Sequence, residues 1–220
     1  RAEEMVRGRL TEEGAGIIIL KFFIAPILFF SGFGGLFIIL DFQSFLIISG
    51  FMIAYFFPPL GKETILPMGI GAGFHPVLIS LSIAFIDIVI GLFLLWNYDF
   101  VKLVPILGPW MERFEYRGRE ISRGRIWMKG IEFVGIILFV IFPFQGSGGV
   151  GATIVGRVVG LNRYIVFLAI IIGSITGCLF IAYSADTIKN IILSNFQLGL
   201  LLLVILAIIT AIYFLYIRRK

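Results

Sequence analysis

Four long apolar stretches limit the folds that are open to this chain. They cover residues 17–40, 76–98, 163–184 and 198–217, and a helix needs about 20 apolar residues to cross the hydrocarbon core of a bilayer. Of all residues, 60% are hydrophobic and only 14% are charged, whereas a soluble domain has about 25% charged residues. We therefore predict an all-α polytopic membrane protein, with residues 1–220 forming a single integral membrane domain.

Two further apolar stretches are too short to cross a membrane. Residues 44–57 precede Pro58 and Pro59, and residues 130–142 precede Pro143. At about 1.5 Å per residue each stretch reaches about 20 Å, although the apolar core is about 30 Å thick. These stretches therefore have the length of half-helices.

A polar, glycine-containing break and a second short apolar run follow each half-helix. Interrupted segments in corresponding positions are typical of an inverted repeat whose broken helices form a binding site. We therefore predict two opposed re-entrant helical hairpins, at residues 44–75 and 130–161, beside four full transmembrane helices. The residues predicted to break the hairpin helices are Pro58, Pro59, Pro67, Gly69 and Pro143.

The distribution of basic residues favours a hairpin over a full span for residues 44–75. Seven Lys and Arg residues lie in residues 99–129, and residues 218–220 are all basic, which indicates the cytoplasmic side. A hairpin also leaves the three arginines before residue 10 on that side, whereas a full span would move them outside. The chain is therefore predicted to lie in the cytoplasmic membrane with both termini cytoplasmic and with Lys189 on an outer loop.

The basic segment at residues 99–129 has its own pattern. Leu107, Trp110, Met111 and Phe114 recur at helical spacing beside charged side chains, as expected of an amphipathic helix in the membrane interface. We expect this segment to anchor the chain, and an ordinary amphipathic linker is the simpler interpretation.

Two acidic residues carry the strongest chemical signal. Asp87 lies near the middle of the span at residues 76–98, where a charged side chain costs about 2.5–3.5 kcal/mol unless it finds a partner or water. It is expected either to bind a proton, ion or headgroup, or to form a helix–helix hydrogen bond. Glu63 follows the first break, where adjacent Lys62 is a local neutralising partner. We expect Asp87 and Glu63 to couple transport to protons.

The second break carries the sequence PFQGSGGVGATIVGRVVG from Pro143. Glycines there can expose backbone polar groups to a water-lined cavity, and Arg157 follows on the returning limb. Arg157 either snorkels to cytoplasmic headgroups or holds an anion. The predicted substrate-binding residues are Glu63, Gln145, Gly146, Gly148, Gly149, Gly151 and Arg157.

Several classes of function are excluded by what the sequence lacks. A single histidine and a single cysteine argue against a His-based triad and a Cys/His metal site, and no zinc-protease, hydrolase or P-loop motif is present. The net charge of +5 is too small for a nucleic-acid partner. We therefore expect no enzyme, no cofactor and no metal site.

The combination of KETILPMGIGAGFHP, Asp87 and FPFQGSGGVGATIVGRVVGL resembles the family named putative small multidrug export proteins. Its members are similar to the DedA/VTT membrane proteins. The resemblance covers about residues 60–185 and implies a DedA-like architecture of two opposed re-entrant hairpins. It also implies the movement of polyprenyl-phosphate or phospholipid headgroups, with Glu63 and Arg157 as candidates for the essential acidic and basic residues.

The leading hypothesis from sequence is a secondary transporter or lipid translocase for an anionic lipid, namely a polyprenyl phosphate. Arg157 and glycine amides would bind the phosphate, while Glu63 and Asp87 would couple its movement to protons or small cations. The alternatives are an exporter of small cations or drugs and a scaffold that transports nothing. The expected partners are membrane lipids, and a homo-oligomer is one option for the assembly.

Overall fold

The structure is a computed structural model, and it describes residues 15–57, 60–98, 126–143 and 146–194. Within these ranges the chain forms seven α-helices and no strand. The helices are α1 (Ala15–Ile39), α2 (Phe42–Ala54), α3 (Lys62–Gly71), α4 (Pro76–Trp96), α5 (Ile126–Ile141), α6 (Gly149–Val159) and α7 (Arg163–Ser194).

Three of the described helices, α1, α4 and α7, are long and apolar enough to cross a membrane. They correspond to three of the four predicted spans. The fourth, at residues 198–217, lies outside the described residues, and so do Pro58, Pro59, Gln145 and almost all of the predicted interfacial segment.

The last described helix, α7, is longer than predicted. Residues 185–194 contain no glycine or proline that would end it, so the helix continues to Ser194. Lys189, predicted on an outer loop, is therefore a helical residue. Its ammonium donates a 2.7 Å hydrogen bond to the carbonyl oxygen of Ile70, which ties α7 to the last turn of α3.

The four remaining helices are short, with 13 residues in α2, 10 in α3, 16 in α5 and 11 in α6. Pro143 lies between α5 and α6, as predicted. The predicted breaks at Pro67 and Gly69 are wrong, because α3 runs through both residues. A proline removes one backbone donor, and neighbouring helices let membrane helices tolerate this loss.

The centre of the described structure is the pair of helices α4 and α7. These two helices pack against each other, and both also contact α3 and α6. Helix α1 packs mainly on α4 and α2, and Ala25 is its only buried residue among those whose side chains are described.

Buried side chains form two apolar clusters. One cluster combines α2, α3 and the first half of α4 with the central part of α7, and includes Ile65, Ile83 and Cys178. The other combines α5, α6 and the first turns of α7 with the end of α4, and includes Val140 and Ala152. The middle of α4 therefore lies where the two clusters meet.

Candidate functional site

Asp87 occupies this junction, and its side chain is only 1% exposed. Oδ1 accepts hydrogen bonds from the Tyr55 hydroxyl at 2.8 Å and from the Gly149 amide at 3.0 Å. Oδ2 accepts a hydrogen bond from the Ser174 hydroxyl at 3.1 Å. The carboxyl oxygens of Asp87 are thus each bound by at least one partner. One side chain thus joins α4 to the end of α2, the start of α6 and the middle of α7.

The glycines at the start of α6 allow this close approach. A Cβ atom at Gly149 would lie 2.1 Å from the main-chain oxygen of Asp87, and one at Gly148 would lie 2.2 Å from Oδ1. The amide end of a helix carries partial positive charge, and here it faces a carboxylate of the same chain. The anion that meets the first amide of α6 is therefore Asp87 itself.

A cavity of about 300 Å³ opens beside Asp87. This volume is at the lower end of the range of about 300–1,000 Å³ typical of small-molecule pockets. Both helix breaks and the middle of α4 contribute to its wall. The lining residues are Tyr55, Phe56, Leu60, Asp87, Ile90, Gly146, Gly148, Gly149 and Val150.

Three of the predicted glycines line this cavity, and one does not. Gly146, Gly148 and Gly149 form part of the wall. Gly151 lies within α6, where a Cβ atom would come 1.9 Å from the main-chain oxygen of Gly146. Gly151 therefore permits packing of the turn, and it is not among the residues that line the cavity.

Lys62 and Glu63 lie at the start of α3. Lys62 is 2% exposed, and its ammonium donates a hydrogen bond to the carbonyl oxygen of Val140 at the end of α5. The Glu63 carboxyl group turns back against Gly61, and its Oε2 atom is buried without a hydrogen-bond partner in the described part of the chain.

Arg157 lies in a different place from the glycines. Its guanidinium carbon is 4.9 Å from the centroid of the Tyr98 ring, and Tyr98 follows Asp87 by eleven residues, which is about 16 Å along a helix. Arg157 lines a second cavity, of about 440 Å³, together with Gly160, Leu161, Asn162, Arg163 and Ile165. The two cavities have no lining residue in common.

The structure therefore separates the predicted site residues into two groups. Asp87 and three glycines meet at the first cavity, whereas Glu63, at the start of α3, is not among the residues that line it. Arg157 lies at the second, where its Nε atom is buried and has no hydrogen-bond partner among the described residues.

Sequence reasoning missed Tyr55 and Ser174 as partners of Asp87. Ser174 lies between glycines in the sequence GSITG near the middle of α7, so a polar residue at mid-span was the available signal. Tyr55 lies near the end of an apolar run, just before the first proline break. Aromatic residues are common throughout this chain, 15% of the total, so nothing distinguished this tyrosine from the others.

A family model described as "Putative small multi-drug export protein" matches residues 64–180. No curated protein and no solved structure matches the chain. The matched region runs from the first turn of α3 to the middle of α7. It includes Asp87, the glycines of the second break, Arg157 and Ser174, whereas Tyr55, Lys62 and Glu63 precede it.

Proposed function

Because the chain belongs to the putative small multi-drug export protein family, we propose that it exports small organic cations across a membrane and that Asp87 binds them. The observation that carries this proposal is a buried carboxylate in the wall of a cavity of about 300 Å³. Polar and ionisable residues inside a membrane are expensive and generally mark ion or substrate pathways.

The wall of the cavity suits an apolar cation. Phe56, Leu60 and Ile90 supply apolar surface, and the described lining contains no Lys or Arg. Tyr55 supplies an aromatic ring, and aromatic faces attract cations. An organic cation could therefore bury its apolar groups here and place its charge beside Asp87.

Export requires a source of energy, and we propose exchange for protons. A proton and a cation compete for the same carboxylate oxygens of Asp87, so binding of one displaces the other. Glu63 is the second exchange site in this proposal, because its unpartnered Oε2 atom is an acceptor that a proton or cation would satisfy. Exchange of this kind needs no nucleotide, in keeping with a sequence that has no P-loop motif.

The proposal extends to the architecture. We propose that α2–α3 and α5–α6 are two re-entrant hairpins that enter from opposite faces, as in the DedA/VTT proteins. This arrangement is supported by two hydrogen bonds, through which the break after α2 and the break after α5 both reach Asp87 near the middle of α4. In this arrangement the N- and C-termini lie on the cytoplasmic side of the cytoplasmic membrane.

Transport in proteoliposomes tests the proposal. The full chain would be reconstituted with a pH gradient, and uptake of the fluorescent monocation ethidium would be measured. We expect Asp87→Asn to reduce the rate at least about tenfold, since the substitution removes the charge that holds the cation. Asp186→Asn is the matched control, because among the described residues Asp186 accepts its hydrogen bond from exposed Asn190 on the same helix, α7.

Transport by Asp87→Asn at the wild-type rate would contradict the assignment of Asp87. An absence of ethidium transport in the wild type would reject cation export and leave the lipid translocase and the scaffold. Size-exclusion profiles of both variants in detergent report whether a lost rate reflects lost folding.

A second candidate function is movement of an anionic lipid headgroup such as a polyprenyl phosphate. The observation that favours it is the cavity of about 440 Å³ lined by both Arg157 and Arg163, since guanidinium groups match phosphate geometry. Headgroup flipping in liposomes tests it, with Arg157→Ala expected to slow flipping and Asp87→Asn expected to leave headgroup binding intact. Equal flipping by Arg157→Ala and the wild type would reject this role for Arg157.

A further inference from the structure

The two carboxyl oxygens of Asp87 face different parts of the structure. Oδ1 accepts hydrogen bonds from Tyr55 and Gly149, and both of these donors line the first cavity. Oδ2 accepts a hydrogen bond from Ser174, which is fully buried and is not among the residues that line this cavity. Oδ1 is therefore the oxygen on the cavity side, and a cation in the cavity would meet it first.

The donors from the protein already fill Oδ1. An ionised carboxylate has about four lone-pair sites, two on each oxygen. The Tyr55 hydroxyl lies 2.8 Å from Oδ1 and the Gly149 amide nitrogen lies 3.0 Å from it. A cation in the cavity can therefore interact with the charge of Asp87, but these two donors leave it no lone pair on Oδ1 to which it could donate a hydrogen bond.

We propose that the Tyr55 hydroxyl makes this site selective for organic cations without an N–H group, such as quaternary ammonium and phosphonium ions. This inference rests on the proposed export of cations and adds the chemical class of the substrate. A protonated amine must either leave its N–H group without a hydrogen bond to Asp87 or displace the Tyr55 hydroxyl, and both cost free energy. A quaternary cation has no such group, so it interacts with the charge of Asp87 while the hydroxyl stays in place.

The aromatic ring of Tyr55 suits the same class of substrate. Tyr55 lines the cavity together with Phe56, Leu60 and Ile90, so the wall combines an aromatic ring with apolar surface. Aromatic rings are the groups that proteins use to bind quaternary ammonium ions, whose positive charge is surrounded by apolar carbon atoms. One side chain thus supplies both the hydroxyl that occupies Oδ1 and a ring that attracts the cation.

Among the three donors to Asp87, Tyr55 is the one that can be changed without other effects on the site. Gly149 donates through its backbone amide, and Ser174 binds the other oxygen. Tyr55→Phe removes the hydroxyl and keeps the ring, so it frees one lone pair of Oδ1 on the cavity side. Because Tyr55 is the C-cap of α2 and follows its last residue, the substitution does not interrupt a helix.

Binding to the purified full chain in detergent tests this inference with two probes of nearly the same shape. Benzyltrimethylammonium is quaternary, whereas N,N-dimethylbenzylammonium has an N–H group in place of one methyl group and is used at a pH at which it is protonated. In the wild type we expect the quaternary probe to bind more tightly. In Tyr55→Phe we expect the affinity for the protonated amine to rise about tenfold, as one hydrogen bond to a charged group implies, and the affinity for the quaternary probe to stay the same.

The ratio of the two affinities, compared between variants, is the quantity that decides. The hydration of each probe is the same for every variant, and protons that compete for Asp87 affect both probes equally, so neither changes this comparison. Tyr183→Phe is the matched control and should keep the wild-type ratio, because Tyr183 is 49% exposed on α7 and does not line the cavity. Ser174→Ala should also keep it, since that variant frees Oδ2, and a shift as large as in Tyr55→Phe would overturn the assignment to Oδ1.

The outcomes distinguish this inference from the proposed function. An equal change for both probes in folded Tyr55→Phe, or no change for either, overturns the inference, provided that Asp87→Asn loses binding. Wild-type affinity of Asp87→Asn for benzyltrimethylammonium overturns the proposed function itself. If Tyr55→Phe does not fold, the wild type decides, and tighter binding of the protonated amine than of the quaternary probe overturns the inference.

Discussion

Asp87 accepts hydrogen bonds from donors on three other parts of the fold, and their energies decide how the residue can be tested. Hydrogen bonds between membrane helices contribute on average about 0.6 kcal/mol each, so all three together stabilise the fold by about 2 kcal/mol. Asparagine keeps one acceptor oxygen at the same position. Asp87→Asn should therefore remain folded, which makes a loss of transport in this variant a statement about charge.

The glycine at the start of α6 gives the first prediction at the residue scale. Gly149→Ala would place a methyl group 2.1 Å from the main-chain oxygen of Asp87, and backbone atoms cannot move away as a flexible side chain can. We expect the melting temperature in detergent to fall, with a loss of about 1–3 kcal/mol or more in the free energy of unfolding.

Gly34→Ala is the matched control for this substitution. Gly34 lies in α1, where a Cβ atom would meet no other described part of the chain within 4 Å, and alanine is favoured over glycine in a helix by about 0.5–1 kcal/mol. The control should keep or raise the melting temperature. Equal melting temperatures for Gly149→Ala and the wild type would show that α6 does not approach α4 as closely as described.

Individual residues also show what sequence can predict at this scale. Asp87 was identifiable because a carboxylate within an apolar span is rare and expensive. The hydrogen-bond partner of Lys62 was not identifiable from sequence. Its acceptor is a backbone carbonyl group 78 positions away, and every residue has such a group. The place of Arg157 was equally hidden, since it depends on how α6 packs against the end of α4.

At the scale of elements, helix lengths were predicted better than helix breaks. Bilayer thickness fixes the length of a spanning helix, so α1, α4 and about the first six turns of α7 follow from hydropathy alone. Proline and glycine are weaker signals, because membrane helices tolerate both when neighbours satisfy the freed backbone groups. Helix α3, which contains Pro67 and Gly69, is an example.

The start of α2 gives a prediction on pH at the element scale. Asp41 lies between α1 and α2 and is the N-cap of α2, where its carboxylate accepts a 3.0 Å hydrogen bond from the Ser44 amide. That hydrogen bond lowers the pKa of Asp41 below its ordinary value of 3.8. Stabilisation of the first turn is therefore present above pH 3.8 and is lost as the pH falls through the lower pKa of the folded chain.

Hydrogen exchange of the α2 amides checks this expectation. Protection of the Ser44 amide should decrease below pH 3.8 in the wild type, after correction for intrinsic exchange rates. Asp41→Asn is the control, because asparagine is an equally good N-cap that does not titrate. The same pH dependence in both proteins would rule out Asp41 as the cause.

At the scale of the whole molecule, the two ends of α7 indicate how the chain crosses the membrane. Tyr164 lies in its first turn, and Lys189 binds the last turn of α3. These two residues are 25 positions apart, which is about 37 Å along a helix and exceeds an apolar core of about 30 Å. The end of α3 and the start of α7 should therefore lie on opposite sides of the membrane.

Cysteine labelling in intact cells tests this orientation. Cys178 is buried, so a Cys178→Ala background removes the only native thiol. We expect a membrane-impermeant maleimide to label Gly71→Cys from outside and Tyr164→Cys only after permeabilisation, because basic segments orient towards the cytoplasm. Labelling of Tyr164→Cys before permeabilisation would reverse the predicted orientation.

The class of the whole molecule was predictable from composition, whereas the meeting of its two apolar clusters at Asp87 was not. Hydropathy reports how each segment interacts with lipid, and it says nothing about which short helices face one another. The arrangement of α2, α3, α5 and α6 arises from contacts between residues far apart in the chain. No pattern within a single segment contains that information.

The hydrogen bond from the Gly149 amide to Asp87 also has a consequence for biosynthesis. The first amide of α6 is satisfied by a side chain of α4, and α6 has only 11 residues, so it has little tendency to form alone. During synthesis α4 leaves the ribosome well before α6. The order of the sequence thus provides the docking partner first, and the second broken helix can assemble on a helix that is already in the membrane.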